Sequence, residues 1–199
     1  MSRRQQVSRK RARAEERRRV ALRRKRIRIG LITGASVLAV AGLLVAFKPG
    51  PAPSGATDPT AWDLPALHGD TRVTLAGFNG KPTVAAFFAS WCPHCRRELP
   101  GFAALSRQVG DQVNFVGINT QDSGNGSGLA ETSGIDAWPL ARDVGGADGR
   151  GLSTAFGARG MPLTVIYGPA GDVVDVNRGV VSAEQLATKL STFFGITTS

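Results

Sequence analysis

The stretch Thr83-Val84-Ala85-Ala86-Phe87-Phe88-Ala89-Ser90-Trp91-Cys92-Pro93-His94-Cys95 decides how the rest of the chain is read. Residues 83–89 form an unbroken apolar run without the polar alternation of a half-exposed strand. The run therefore predicts a strand covered on both faces, at the centre of a sheet. Pro93 suits the first turn of a helix, where its missing N–H leaves nothing unpaired. Behind it Leu99, Phe102, Ala103 and Leu105 cluster on one side, which predicts a helix over 93–109 with a kink at Pro100. Both cysteines of the chain thus fall where a strand ends and a helix begins. Residues three apart on a helix are close enough for a disulfide, and the unpaired N–H groups and positive potential of the helix start favour a thiolate on Cys92. Cys95, one turn further in, is expected to be more buried and to act second.

Outward from this centre the pattern alternates. Residues 72–75 alternate weakly, and Phe78-Asn79-Gly80-Lys81 supplies turn chemistry before the central strand. A second strand is expected at 113–118, a polar glycine-rich loop at 121–128, and short helices at 129–135 and 152–156, the latter stopped by Gly157. Residues 163–167 and 173–176 read as a hairpin around Gly168-Pro169-Ala170-Gly171-Asp172. Ser182 caps a closing helix that runs to about Phe194 with Leu186 and Leu190 inside it. Strand, helix, strand, helix, hairpin, helix implies an α/β sandwich whose sheet mixes parallel and antiparallel strands.

With 199 residues the chain holds one ordinary domain plus extras, and 42% hydrophobic against 20% charged residues excludes a disordered or fibrous chain. The formal charge of +10 is unevenly placed: residues 1–28 carry fourteen Lys/Arg and two acids, while residues 29–199 carry eleven and thirteen. The basic character is a terminal arm, and nucleic acid is not expected as a partner. Residues 29–47 are nineteen positions without a charge, about 28 Å as a helix against a hydrocarbon core of about 30 Å. The positive-inside rule then puts the basic arm in the cytoplasm and everything beyond Lys48 outside. A cleavable signal ending near Ser54-Gly55-Ala56 fits less well, because the apolar run is too long and Lys48 and three prolines intervene. Gly30 and Gly34 have helix-pairing spacing but sit in a segment already rich in small residues and are read as incidental. Residues 48–60, with Pro49, Pro51, Pro53 and Pro59, are expected to be a stiff solvated linker, and residues 61–199 the catalytic domain.

Other uses of the cysteines fit poorly. A bridge across three residues removes little entropy from the unfolded chain and would stabilise weakly. Zinc would have to add His68 and His94, and His94 sits between the cysteines rather than at a finger-like spacing. Haem attachment needs a histidine directly after the second cysteine, where this chain has Arg96. Redox chemistry is what remains.

Over residues 64–194 the chain resembles the thioredoxin superfamily, specifically the membrane-anchored TlpA/ResA/DsbE-like thiol-disulfide oxidoreductases. The resemblance rests on Phe88-Ala89-Ser90-Trp91-Cys92-Pro93-His94-Cys95-Arg96-Arg97-Glu98-Leu99-Pro100 and on Gly160-Met161-Pro162-Leu163-Thr164. It implies a three-layer thioredoxin-like sandwich with a mixed central sheet behind one transmembrane helix. It also implies that Cys92 attacks, Cys95 resolves, and Pro162 is a cis proline facing the pair. Pro93 and His94 would tune the thiolate, while Trp91, packed beside the dithiol, and Met161 would line the substrate groove. Glu98 matches an acidic residue of this branch and would tune proton transfer or touch substrate; its alternative is a solvated helix carboxylate. Ala86 stands where thioredoxin has a buried aspartate, so proton handling does not carry over from thioredoxin. His68 reads as a surface loop residue.

The implied activity is disulfide exchange with extracytoplasmic protein thiols or disulfides, with a membrane redox partner for recycling. It needs no cofactor beyond the Cys92–Cys95 disulfide and no metal. Peroxiredoxins share this fold, but their pattern asks for Pro and Thr or Ser seven and three positions ahead of the reactive cysteine, and those positions are Ala85 and Ala89. A non-enzymatic copper or haem chaperone is the binding-module alternative. Both directions of exchange are open, since such pairs span about −270 to about −120 mV. Pro93-His94 resembles the oxidising end, whereas the branch as a whole resembles reductases that serve cytochrome c maturation.

Overall fold

The computed structural model describes residues 58–145 and 151–197. The basic arm 1–28, the apolar run 29–47 and all but the last three residues of the linker 48–60 lie outside them. Among the described residues, no helix is long and apolar enough to cross a membrane.

A five-stranded sheet organises the domain. Strands β1 (Asp63–Pro65) and β2 (Arg72–Thr74) pair with each other as a separate antiparallel ribbon. The main sheet uses β3 (Thr83–Phe88), β4 (Asn114–Asn119), β5 (Leu140–Arg142), β6 (Leu163–Tyr167) and β7 (Val173–Arg178), in the order β5-β4-β3-β6-β7. β3 runs parallel to β4 and antiparallel to β6, so the sheet is mixed, with β3 at its centre and all six of its residues buried. The helices are α1 (Pro93–Val109), α2 (Ser127–Ser133), α3 (Leu152–Ala155) and α4 (Ala183–Phe194).

The alternation of side chains along β3 builds two cores. Val84, Ala86 and Phe88 pack with Leu99 and Phe102 of α1, Leu129 of α2, and Leu186 and Leu190 of α4. Ala85 and Phe87 pack on the other face with Leu152 of α3, Phe156 and Tyr167, and with Trp62, Leu64 and Leu75 from the amino-terminal ribbon and the 3₁₀ turn after it. Three layers result, as the resemblance implied.

Several expectations are corrected in detail. Leu75 does not extend a strand; it opens a 3₁₀ turn, Leu75–Phe78, because Thr74 Oγ1 accepts the Gly77 N–H at 3.2 Å. β1 and β5 were not expected at all, and each gains its place by pairing with a neighbour whose backbone groups would otherwise be open. α2 begins and ends two residues earlier than the apolar pattern indicated, where Gly126 and Gly134 take left-handed conformations at its two ends. The folded part also starts before residue 61, since the Tyr167 hydroxyl donates to the Pro59 carbonyl at 3.0 Å and accepts from the Trp62 indole at 3.0 Å.

Candidate active site

The site forms where β3 runs out. The turn after Phe88 is held from two directions: the Cys92 N–H donates to the Ala89 carbonyl at 3.0 Å, and the Thr120 N–H, beyond the parallel strand β4, donates to the Phe88 carbonyl at 2.9 Å. Cys92 then serves as the N-cap of α1 with Pro93 in the first turn, and Cys92 Sγ accepts the Cys95 N–H at 3.0 Å. The two cysteines form a disulfide with their Cα atoms 5.4 Å apart. A sulfur that already takes a backbone N–H at a helix start is placed to carry negative charge once the disulfide opens.

The expectation that Cys92 is the more exposed thiol is corrected in this oxidised form, because both cysteines are only 1% exposed. The Cys92 sulfur is drawn inward by two ties, its bond to Cys95 and the hydrogen bond from the Cys95 amide, and lies within the α1-side core.

Trp91 is no core aromatic: it is 54% exposed, with its indole N–H bonded to the Gln121 carbonyl at 2.7 Å. Gln121 is the one non-glycine residue with positive φ among the described residues. Next to it Asp122 gathers four donors: the Ser90 N–H at 2.6 Å, the Ser90 hydroxyl at 2.8 Å, the Asn119 amide at 2.8 Å and the Gly124 N–H at 3.0 Å. Partial burial works against ionisation there, but the donors outweigh it and hold the carboxyl below its ordinary range. The reading of the sequence missed Asp122. Its signal is its place just beyond the end of a strand parallel to β3, the rim where α/β sheets gather functional groups.

The Met161–Pro162 peptide is cis. Leu163 pairs with Phe87, so Pro162 lies at the end of the sheet from which Cys92 emerges, and its carbonyl accepts the Gly179 N–H at 3.0 Å. Pro162 is buried and Met161 half-buried.

Glu98 is not a solvated helix carboxylate; it is 7% exposed on the sheet side of α1. Oε2 accepts the Val181 N–H at 2.9 Å and Oε1 accepts the Thr164 hydroxyl at 3.4 Å. Burial raises its pKa, the two hydrogen bonds lower it, and the balance stands at about 7. Thr164 pairs with Ala86 across the sheet. The acid thus enters from the helix onto the sheet face where residue 86 offers no carboxylate.

His94, Arg96 and Arg97 are exposed. Arg97 Nη2 lies 2.7 Å from His94 Nδ1, and since an arginine only donates, Nδ1 is the acceptor of that contact. Arg96 donates to the Ser90 carbonyl at 3.0 Å. His68 is an exposed loop residue, 3.3 Å from the Ser127 hydroxyl.

Residues 57–176 match the AhpC/TSA family model. The thiol:disulfide interchange protein DsbE of Pseudomonas fluorescens is 32% identical over 133 residues, covering 65% of this chain and 71% of that protein. The thiol-disulfide oxidoreductase ResA of Halalkalibacterium halodurans is 25% identical over 121 residues, covering 60% and 66%. Among solved structures, DsbF of Mycobacterium tuberculosis, determined in mixed oxidised and reduced forms, superposes with a TM-score of 0.58 at 24% identity, over 67% of this chain and 96% of that one.

Proposed function

The chain belongs to the AhpC/TSA family and is a thiol-disulfide oxidoreductase of the thioredoxin-like, DsbE/ResA kind, and from that premise we propose that it exchanges disulfides with protein substrates outside the cytoplasm through Cys92 and Cys95. One observation carries the reading: Cys92 caps α1 at the end of the central strand, its sulfur accepting the Cys95 N–H and joined in a disulfide to Cys95.

In the reducing sense, the Cys92 thiolate attacks a substrate disulfide. One Cys92–substrate S–S bond forms, the substrate bond breaks, and the departing sulfur takes a proton. Cys95 then loses its proton and attacks Cys92 Sγ, which closes the Cys92–Cys95 disulfide and releases the second substrate sulfur. Two electrons have passed to the substrate. The oxidising sense is the same sequence reversed, and the redox potential of the full-length protein sets which one runs against a given partner.

Glu98, with its pKa at about 7, is suited to take and return the Cys95 proton near neutral pH. The cis Met161–Pro162 segment supplies backbone for pairing with an extended substrate, and Trp91 an aromatic face. Residues 29–47 anchor the protein in the membrane, where a redox partner resets the disulfide; the branch it resembles serves cytochrome c maturation. Peroxide reduction is the weaker reading, because the two positions where peroxiredoxins need Pro and Thr or Ser are Ala85 and Ala89, both fully buried and apolar.

Replacing the resolving thiol tests the assignment. Cys95→Ser strands the intermediate and accumulates mixed disulfides with substrate proteins on non-reducing gels, while Cys92→Ser accumulates none. Trapping by Cys92→Ser instead would reverse the two roles.

A further inference from the structure

Residues 58–199 carry ten Lys/Arg against thirteen Asp/Glu, yet the surface around the disulfide has the opposite sign. His94, Arg96 and Arg97 are all exposed within the first five residues of α1. No acidic residue occupies the first turn of that helix, the place where the backbone favours acids and disfavours cations. Among the described residues neither arginine pairs with a carboxylate; their guanidinium groups go to the Ser90 carbonyl and to His94 Nδ1, both uncharged acceptors. Neither neighbouring carboxylate forms an ion pair with them: Glu98 points into the core toward Val181 and Thr164, and Asp122 takes its hydrogen bonds from Ser90, Asn119 and Gly124, which leaves two guanidinium charges against the one carboxylate of Asp122. Beside these cations stand two bare apolar side chains, Trp91 and Val180, each 54% exposed. Val180 is held at the site, since its neighbours Gly179 and Val181 donate to the Pro162 carbonyl and to Glu98.

Resting on the exchange reaction above, we propose that Arg96 and Arg97 form a specificity surface for a protein partner whose reacting cysteine lies in an acidic segment with an apolar side chain nearby. The occupant's acids meet guanidinium groups that make no ion pair among the described residues, and its apolar side chain covers Trp91 or Val180. Cations at a helix start cost stability, and these stand at the end of α1 that carries the disulfide. Opposite charge across such a surface accelerates encounter and rejects like-charged partners.

The test uses full-length protein in detergent and three peptide disulfides alike except for the residues flanking cysteine: Asp/Glu, Ser or Lys. The acidic peptide should react about tenfold faster than the lysine peptide at low salt, and the ratio should fall to within about twofold at roughly 0.5 M salt. Arg97→Glu should invert or abolish that ratio. Comparing peptides on one protein cancels any change in thiolate reactivity, and the basic arm at residues 1–28 is the same in both proteins. If reversal disturbs the fold, Arg97→Gln, which removes charge but keeps a donor for His94, must lower the ratio as well. Equal rates for all three peptides, or a ratio that survives both Arg97 variants, would overturn the surface while leaving the exchange reaction intact. Absence of reaction with every peptide would overturn the exchange reaction itself.

Discussion

Glu98 bears its charge only against the opposition of its surroundings, and that opposition has a pH signature. Below about pH 4.5 the carboxyl is protonated in both folded and unfolded chains and contributes no slope. Between 4.5 and about 7 the unfolded chain has released the proton and the folded one has not, so stability falls as pH rises; above 7 both are ionised and the loss is complete. A displacement of this size corresponds to about 3 kcal/mol at most. Glu98→Gln should therefore flatten the decline in urea-unfolding free energy between pH 5 and pH 8, and a slope that persists in the variant would show that another group produces it. The same variant should lose the step near pH 7 in the rate at which Cys95 resolves a mixed disulfide. At His94 the observable is a potential. His94 stands in the first turn of α1, two residues after Cys92, so His94→Ala should raise the thiol pKa and lower the reduction potential, by about 30 mV for each 1.4 kcal/mol of lost thiolate stabilisation. An unchanged potential in glutathione equilibration would reduce His94 to a solvated helix residue.

Among the elements, the start of α3 is held by the side chain of a residue nine positions upstream, Asp143. Asp143 accepts the Leu152 N–H at 2.6 Å, the Ser153 N–H at 2.9 Å and the Thr120 hydroxyl at 2.7 Å, all in a buried setting. Asp143→Ala leaves these donors unmatched and should cost about 3 kcal/mol, with Asp143→Asn between it and the native protein; the midpoint of chemical unfolding at constant slope measures both. Element length also governs what could be read from sequence. β3 and α1 were legible because the unbroken apolar run 83–89 marks a buried strand and a seventeen-residue amphipathic helix displays its period, and the capping box at Ser182–Gln185 marks α4 directly. β1 and β5 have three residues each, too few for a period of two to show, and exist because a neighbouring strand needs them. The same division runs through the site. Cys92, Cys95, Met161 and Pro162 stand in short local motifs, whereas the burial of Glu98 depends on Val181, 83 positions away, and Asp122 reaches Ser90 only because β3 and β4 lie side by side.

For the whole molecule, the arrangement of charge and apolar length before the folded domain predicts a single crossing with the basic arm inside. Alkaline phosphatase fused after Pro59 should be active in bacterial cells, and activity confined to fusions made before Ile29 would reverse the topology. Such a crossing would hold many copies in one membrane and raise their local concentration, which makes the rims of the sheet matter. On one rim Leu67 donates its N–H to the Leu140 carbonyl at 2.7 Å and Ala66 bridges Ala141, so β5 is stitched to the segment that follows β1. On the other, β7 carries Asp175, tied to Lys189 at 2.9 Å, and Arg178, donating to the Phe156 carbonyl at 2.6 Å. One rim is closed and the other is guarded by charges that an incoming backbone would have to strip of their partners. The sheet therefore offers a neighbouring copy no ready template for growing into a fibre.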